Sequence, residues 1–304
     1  MESNRVTFRL VVPLLALLAL TGAAQSGKSV RDGQKIEWAM ADGRQVFRQG
    51  DVTATFAMVQ CAPLGEDCED GDMNPVLTLS RAGGPPLTLD GSSMQNFLMI
   101  GRLSKDGGIA AFFQTYSGGM HCCQILRVAL PEGGAGWKLV ELGSYDGEAL
   151  GWPRDLDGDG VRDFVVRDDR FLYAFASYGG SWSPPKILNI VDGAVRDVSA
   201  EPRFARAFER AAAETRKACI EDEYPNGACA AYAANAARLG QFDAAWKTIL
   251  AEYDRKSRVW PDYCKVVRRE EDGECPEGQL IEYPDYPTAL RAFLADLGYL
   301  PESA

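Results

Sequence analysis

The stretch Asp155-Leu156-Asp157-Gly158-Asp159-Gly160-Val161-Arg162-Asp163 holds the densest chemistry in the chain. Aspartates at alternate positions, interleaved with glycine, cannot pack as a core, and their mutual repulsion calls for a cation. Hard divalent ions collect oxygen ligands of this kind. With Asp155 as position 1, carboxylates fall at positions 1, 3, 5 and 9, and Val161 offers a carbonyl at 7. Gly160 stands at 6, where a calcium loop must turn sharply. Position 12 is Val166 rather than the bidentate glutamate of an EF-hand, and no amphipathic helix follows. The residues predict Ca²⁺ held by Asp155, Asp157, Asp159, Asp163 and the Val161 carbonyl, with modest affinity of the extracellular order. All five ligands come from one turn, so the predicted role of the ion is structural.

A second stretch, Gly118-Gly119-Met120-His121-Cys122-Cys123, carries the only histidine beside two adjacent cysteines. Three readings compete. As a metal site it offers nitrogen and sulfur, but along a strand His121 and Cys123 point one way and Cys122 the other. As a redox site, a vicinal disulfide senses reduction. As structure, the two thiols pair with each other or with Cys61 and Cys68. Any nucleophile that relies on imidazole must use His121. No G-x-S-x-G elbow, H-E-x-x-H pair or G-x-x-x-x-G-K-S/T phosphate loop is present. Asp168 and Asp169 are a carboxylate pair, but neighbours on a turn diverge and are expected in solvent. The residues give an enzyme no positive support. The contrary reading is a periplasmic hydrolase or redox protein that uses the Gly118–Cys123 region.

Behind the acidic loop, Phe164-Val165-Val166 reads as a strand, Arg167 to Arg170 as a turn and Phe171 to Phe175 as a second strand. The run resembles the FG-GAP/VCBS family of calcium-binding propeller repeats, whose signature is D-x-D-G-D-G-x-x-D followed by an apolar strand. Asp155, Asp157, Asp159 and Asp163 match the acidic positions, and the likeness covers about one repeat within residues 140–190. It implies a calcium-binding β-propeller unit.

The flanking chain supplies the address. Residues 1–24 carry Arg5 and Arg9, an apolar run from Leu10 to Leu20 and a small-residue exit, the pattern of a secretory signal peptide. That run is too short to span a membrane, and no later run reaches the length of a span. A secreted or periplasmic protein is expected. Without this leader 30 basic residues face 42 acidic ones, a surface that repels phosphate backbones and excludes nucleic acid as a partner. The expected partner is a protein or glycan. Eight cysteines in an exported chain indicate disulfides. The simplest local pairing is Cys61–Cys68, Cys219–Cys229 and Cys264–Cys275, leaving Cys122 and Cys123.

From residue 28 to 200, short alternating strands are separated by Gly/Pro turns. Val52 to Cys61, Val76 to Leu79, Leu87 to Leu89, Ala110 to Tyr116, Gln124 to Leu130 and Trp137 to Leu142 read as strands. Ile187 to Val191 and Ala194 to Val198 form a hairpin around Asp192-Gly193. Over 201–304 alanine becomes frequent and apolar residues fall at helical spacing. Helices are predicted over 204–218, 225–239, 242–253 and 287–297, with Gly240 and Gly298 as stops. The predicted protein is multi-domain, β then α. An antiparallel all-β domain, propeller-like and incomplete or sandwich-like, carries the calcium hairpin, and a small disulfide-stapled helical domain follows. Its predicted function is non-catalytic binding or scaffolding.

Overall fold

The computed structural model describes residues 27–60, 72–119, 122–264 and 275–301. The leader at 1–24, the Cys61–Cys68 pair and His121 lie outside the described residues. Early strands are β1 (Lys28–Ser29), β2 (Ile36–Trp38), β3 (Gln45–Gln49), β4 (Val52–Gln60), β5 (Met73–Arg81) and β6 (Leu87–Asp90). Then come β7 (Asn96–Arg102), β8 (Ile109–Tyr116), β9 (Gln124–Glu132), β10 (Gly136–Tyr145), β11 (Phe164–Arg167), β12 (Pro185–Val191) and β13 (Ala194–Asp197). The helical region holds α1 (Ala205–Glu221), α2 (Asn226–Arg238), α3 (Phe242–Glu252), a small ribbon of β14 (Tyr263–Cys264) with β15 (Leu280–Ile281), and α4 (Tyr286–Asp296).

The strands build three main open sheets, in the orders β1-β3-β4-β5-β6, β10-β9-β8-β7-β2 and β11-β12-β13. All their pairings are antiparallel except β1 with β3. Burial explains their stacking. In β4, Val52, Ala54 and Phe56 are buried while Thr53 and Thr55 are only half covered, so this sheet is fully covered on one face. In β8, Ala110 to Thr115 are buried without interruption, as a strand covered on both faces must be. One face of this central sheet meets the first sheet, where Trp38 stacks on Phe56 at 5.0 Å and Phe56 touches Phe113 at 6.0 Å. The other face meets β11 and β12, with Phe112 edge-on to Phe164 at 5.2 Å. Each such ring contributes about 1.5–3 kcal/mol by leaving water. The third sheet turns its reverse face, Ile187 among it, toward Phe204 and Phe208 of the helical region.

None of these sheets closes, and they stack as layers, so the expected propeller is replaced by face-to-face packing. The expected strand at Phe171–Phe175 is also corrected. A single turn of 3₁₀ helix covers Asp169–Phe171. Phe171 and Phe175 then enter the helical core, packing edge-on against Phe293 at 5.0 and 5.1 Å. Burial of both rings there outweighs the local alternation.

In the helical region, α2 is buried nearly all round from Asn226 to Ala236, and its alanines let α1 and α3 approach closely. Cys219–Cys229 ties the end of α1 to the start of α2, and a second bridge joins Cys264 to Cys275. Asp285 accepts the Thr288 N–H at 2.9 Å and caps α4. Among the described residues no helix is long and apolar enough to cross a membrane.

Candidate metal centre

The acidic loop is anchored at both ends. Arg154 and Asp163 exchange backbone hydrogen bonds of 3.3 and 2.8 Å, and the Arg162 N–H donates to the Leu103 carbonyl at 2.8 Å. Between these anchors the aspartates organise their own backbone. Asp155 accepts the Gly158 and Gly160 N–H groups at 2.7 and 3.0 Å. Asp157 accepts the Asp159 N–H at 3.0 Å, and Asp159 accepts the Val161 N–H at 2.7 Å. Such bonds are the short-range preference of aspartate in turns. The winding puts Gly158 and Gly160 at φ +86° and +87°, where a side chain is strained. Carboxylate oxygens of Asp155, Asp157 and Asp159 consequently lie within 4.8 Å of one another.

The structure brings three of the five predicted ligands together. Val161 faces Ser104 across an isolated bridge. Asp163 is 2% exposed and turns its carboxylate inward, accepting the Leu156 N–H and the Asn189 amide, both at 2.7 Å. Burial pushes the Asp163 carboxyl above the usual carboxylate range, and those two hydrogen bonds pull it back only in part.

A cation already stands at the loop, and it comes from outside it. Arg203, just ahead of α1, donates through Nη1 to Asp157 at 2.6 Å and to Asp159 at 2.8 Å. Its Nε donates to Glu201 at 2.7 Å and its Nη2 to the Asn189 Oδ1 at 3.2 Å. Asn189 on β12 therefore links Asp163 to Arg203. The Asp157 side chain is only 4% exposed beneath the guanidinium, whereas that of Asp159 is 41% exposed. Two of the three gathered carboxylates are thus paired, and among the described residues Asp155 has no ion pair. The donor set is all oxygen and fits a hard divalent ion, which would share or displace Arg203. Arg203 and Asn189 lie more than 25 residues from the aspartates they serve, and no local spacing marked them.

A second acidic group stands at the end of β11, where the pair expected in solvent is covered, Asp168 fully and Asp169 by half. Asp168, 3% exposed, takes a two-pronged ion pair from Arg170 at 2.7 and 2.6 Å and the Tyr299 hydroxyl at 2.9 Å. Burial alone would raise its carboxyl, but Arg170 and Tyr299 outweigh it and hold the group below the usual range. Asp169 accepts the Asp146 N–H at 2.6 Å. Burial, with help from the Asp146 charge, pushes the Asp169 carboxyl up. Asp146 in turn accepts the Tyr178 hydroxyl at 2.5 Å. These contacts tie β10 and β11 to the helical region, and each carboxylate has a structural partner. Elsewhere, Cys122 and Cys123 are disulfide-bonded to each other, with Cys122 exposed.

The sll0997 C-terminal domain family matches residues 204–298, the helical region together with Phe204. The probable thylakoid lumen protein sll0997 of Synechocystis sp. is 34% identical over 263 residues, covering 83% of this chain and 74% of that protein. The uncharacterized protein y4bJ of Sinorhizobium fredii is 35% identical over 193 residues, 62% of this chain and 30% of that protein. No solved structure matches. The FG-GAP/VCBS resemblance is corrected by these findings: the likeness covered about one repeat within residues 140–190, whereas the sll0997 match runs through most of the chain. By the extent of that match, the chain belongs to the family of the sll0997 protein.

Proposed function

We propose that this chain is an exported, non-catalytic binding or scaffold protein in which the acidic loop takes Ca²⁺ as a structural clamp. The observation that carries the reading is the set of Asp155, Asp157 and Asp159 oxygens within 4.8 Å of one another, ordered by backbone N–H groups and offset by one guanidinium. Three carboxylates against one arginine leave an excess negative charge that a divalent ion would remove. Carboxylate oxygens that accept one N–H keep a lone pair for a cation, so Asp163 and the Val161 carbonyl stay in the proposed ligand set. The ion would fix the loop that leads into β11, since every ligand of the set comes from that loop. It would take over from Arg203 only the neutralisation of Asp157 and Asp159.

Three features support export: the leader pattern at 1–24, the disulfides among the described cysteines, and a relative named as a probable thylakoid lumen protein. The partner class is protein or glycan. Thermal melting of the purified mature protein tests the metal reading. Chelator lowers the melting temperature, calcium restores it, and Asp157→Ala abolishes the difference; a melting temperature indifferent to both chelator and calcium would refute the site. One observation favours a second, redox reading, namely the exposed Cys122–Cys123 disulfide. There, Cys122→Ser with Cys123→Ser abolishes thiol–disulfide exchange activity, whereas the binding reading expects a change in stability alone.

A further inference from the structure

A cleft of about 440 Å³ opens between β11, the Trp182–Pro185 segment, α1 and α2. Its lining has three properties that a structural gap between layers does not need. Arg154, Arg167 and Arg210 all border it, against the single acidic side chain of Glu214. That concentration of positive charge stands out in a chain of net charge −11. Among the described residues Arg154 and Arg210 have no ion pair, although acidic residues outnumber basic ones. Arg167 acts on Asp169 through its field alone.

Second, two residues of the cleft wall carry polar atoms that are buried and, among the described residues, without partners. Asn235 on α2 is 0% exposed; its amide N–H donates to the Thr215 hydroxyl at 3.3 Å, but its Oδ1 accepts nothing. The Ser183 Oγ is likewise buried without a partner. A buried acceptor left unpaired costs about 1–3 kcal/mol, so an apolar residue at 235 would be the cheaper choice for packing alone. Third, the remaining wall is apolar, with Trp182, Pro185 and Leu156 offering flat or aliphatic surface. Charge at the rim, an acceptor in the wall and an apolar lining are the makings of a small-molecule site.

We infer that this cleft binds a small organic anion that carries an apolar ring or chain and a hydroxyl or amino donor. The anion pairs with Arg154 and Arg210, whose planar forks suit carboxylate and phosphate alike. The apolar body lies on Trp182, and the donor reaches Asn235 Oδ1, which is sealed from water, by displacing the side chains that cover it. The cleft volume suits a ligand at the small end of the usual range for such pockets. The cleft borders the acidic loop through Arg154 and Leu156, but its proposed ligand contacts use none of the loop's carboxylates and require no calcium.

Calorimetric titration of the full mature chain with four probes tests the inference. 4-Hydroxybenzoate has charge, ring and donor; benzoate lacks the donor, phenol lacks the charge, and inorganic phosphate lacks the ring. The expected result is one saturable site for 4-hydroxybenzoate, with phenol and phosphate each at least tenfold weaker and benzoate intermediate. Arg210→Gln and Arg154→Gln change exposed side chains, and each is expected to weaken binding about tenfold, the loss of one charge-assisted contact. Asn235→Ala is expected to erase the preference for 4-hydroxybenzoate over benzoate. Three results would each overturn the assignment: no saturable heat with 4-hydroxybenzoate, phenol binding as well as the anion, or both arginine variants titrating like the parent protein.

Discussion

Replacing Arg203 with glutamine separates the two cations that compete for the acidic loop. In the absence of a divalent ion the guanidinium is the loop's counter-charge. Its bond to Asp157, a carboxylate only 4% exposed, is charge-assisted, a class that contributes about 1.5–3 kcal/mol. Its bond to Asp159, 41% exposed, behaves as a surface pair of about 0.5 kcal/mol. Arg203 itself is 36% exposed, so solvent competes for its donors and the lower end of both ranges applies. The sum is about 2 kcal/mol, equivalent to a fall in melting temperature of about 4–8 °C for a chain of this size. In millimolar calcium the ion neutralises Asp157 and Asp159, and the same substitution is expected to cost about a quarter as much. Calcium affinity moves the other way, rising about tenfold once the ion no longer displaces a guanidinium. Scanning calorimetry of parent and variant, each in chelator and in calcium, together with a calcium titration, measures all of this. Equal destabilisation with and without calcium, at unchanged affinity, would show that arginine and metal do not share the carboxylates.

Two further perturbations probe the frame that holds the site. Cys219→Ser with Cys229→Ser opens the link between α1 and α2, and loss of a bridge closing so short a loop is expected to cost about 2–3 kcal/mol in a denaturant titration; an unmoved midpoint would mean that alanine packing alone fixes the helix pair. Asp168→Asn addresses the pH dependence. The folded carboxyl of Asp168 is held below its unfolded value of about 3.9, so the folded state favours its charged form. Its contribution is therefore complete above about pH 4 and is lost as pH falls through the lower folded value. The variant is expected to be about 2–3 kcal/mol less stable at neutral pH, since Arg170 and Tyr299 lose a buried charged partner, and to show a shallower decline in acid. An unchanged acid limb would remove Asp168 from the groups that govern it.

The parts of the fold legible in the chain are those where a local rule and the tertiary environment agree. Val52, Ala54 and Phe56 alternate because one face of β4 is fully covered, and Phe208, Ala212 and Cys219 recur because one face of α1 is buried. Asp192-Gly193 makes its two-residue turn with φ at +53° and +71°, and Gly240 and Gly298 end their helices at +67° and +72°. At each of these positions the backbone conformation selects the residue type. The stacking order of the sheets was not legible, since alternation states that a face is covered without stating by what. Phe171 to Phe175 shows the local rule failing: alternate apolar residues resemble a strand, yet the partners that capture the rings come from α4, more than a hundred residues later.

The candidate site divides in the same way, and the division follows the range of its forces. Aspartates that cap their own turn act over two to five residues, so the spacing D-x-D-G-D-G already contains the geometry that gathers Asp155, Asp157 and Asp159. What neutralises them is a tertiary matter. Arg203 follows Pro202 in a stretch with no acidic pattern of its own beyond Glu201, and it reaches the loop only because Phe204 and Phe208 seat the start of α1 against Ile187. Hydrophobic burial, which carries no information about charge, thus determines which charge arrives. Asp163 fits the same logic. Its place in the acidic spacing keeps it in the proposed ligand set, and its environment, sealed by β12 and bonded to Asn189, makes it a buried hinge between loop and sheet as well. Arg203 and Asn189 connect the loop to the junction of sheet and helices: Arg203 bonds both Asp157 and the Asn189 Oδ1, and the Asn189 amide in turn bonds Asp163.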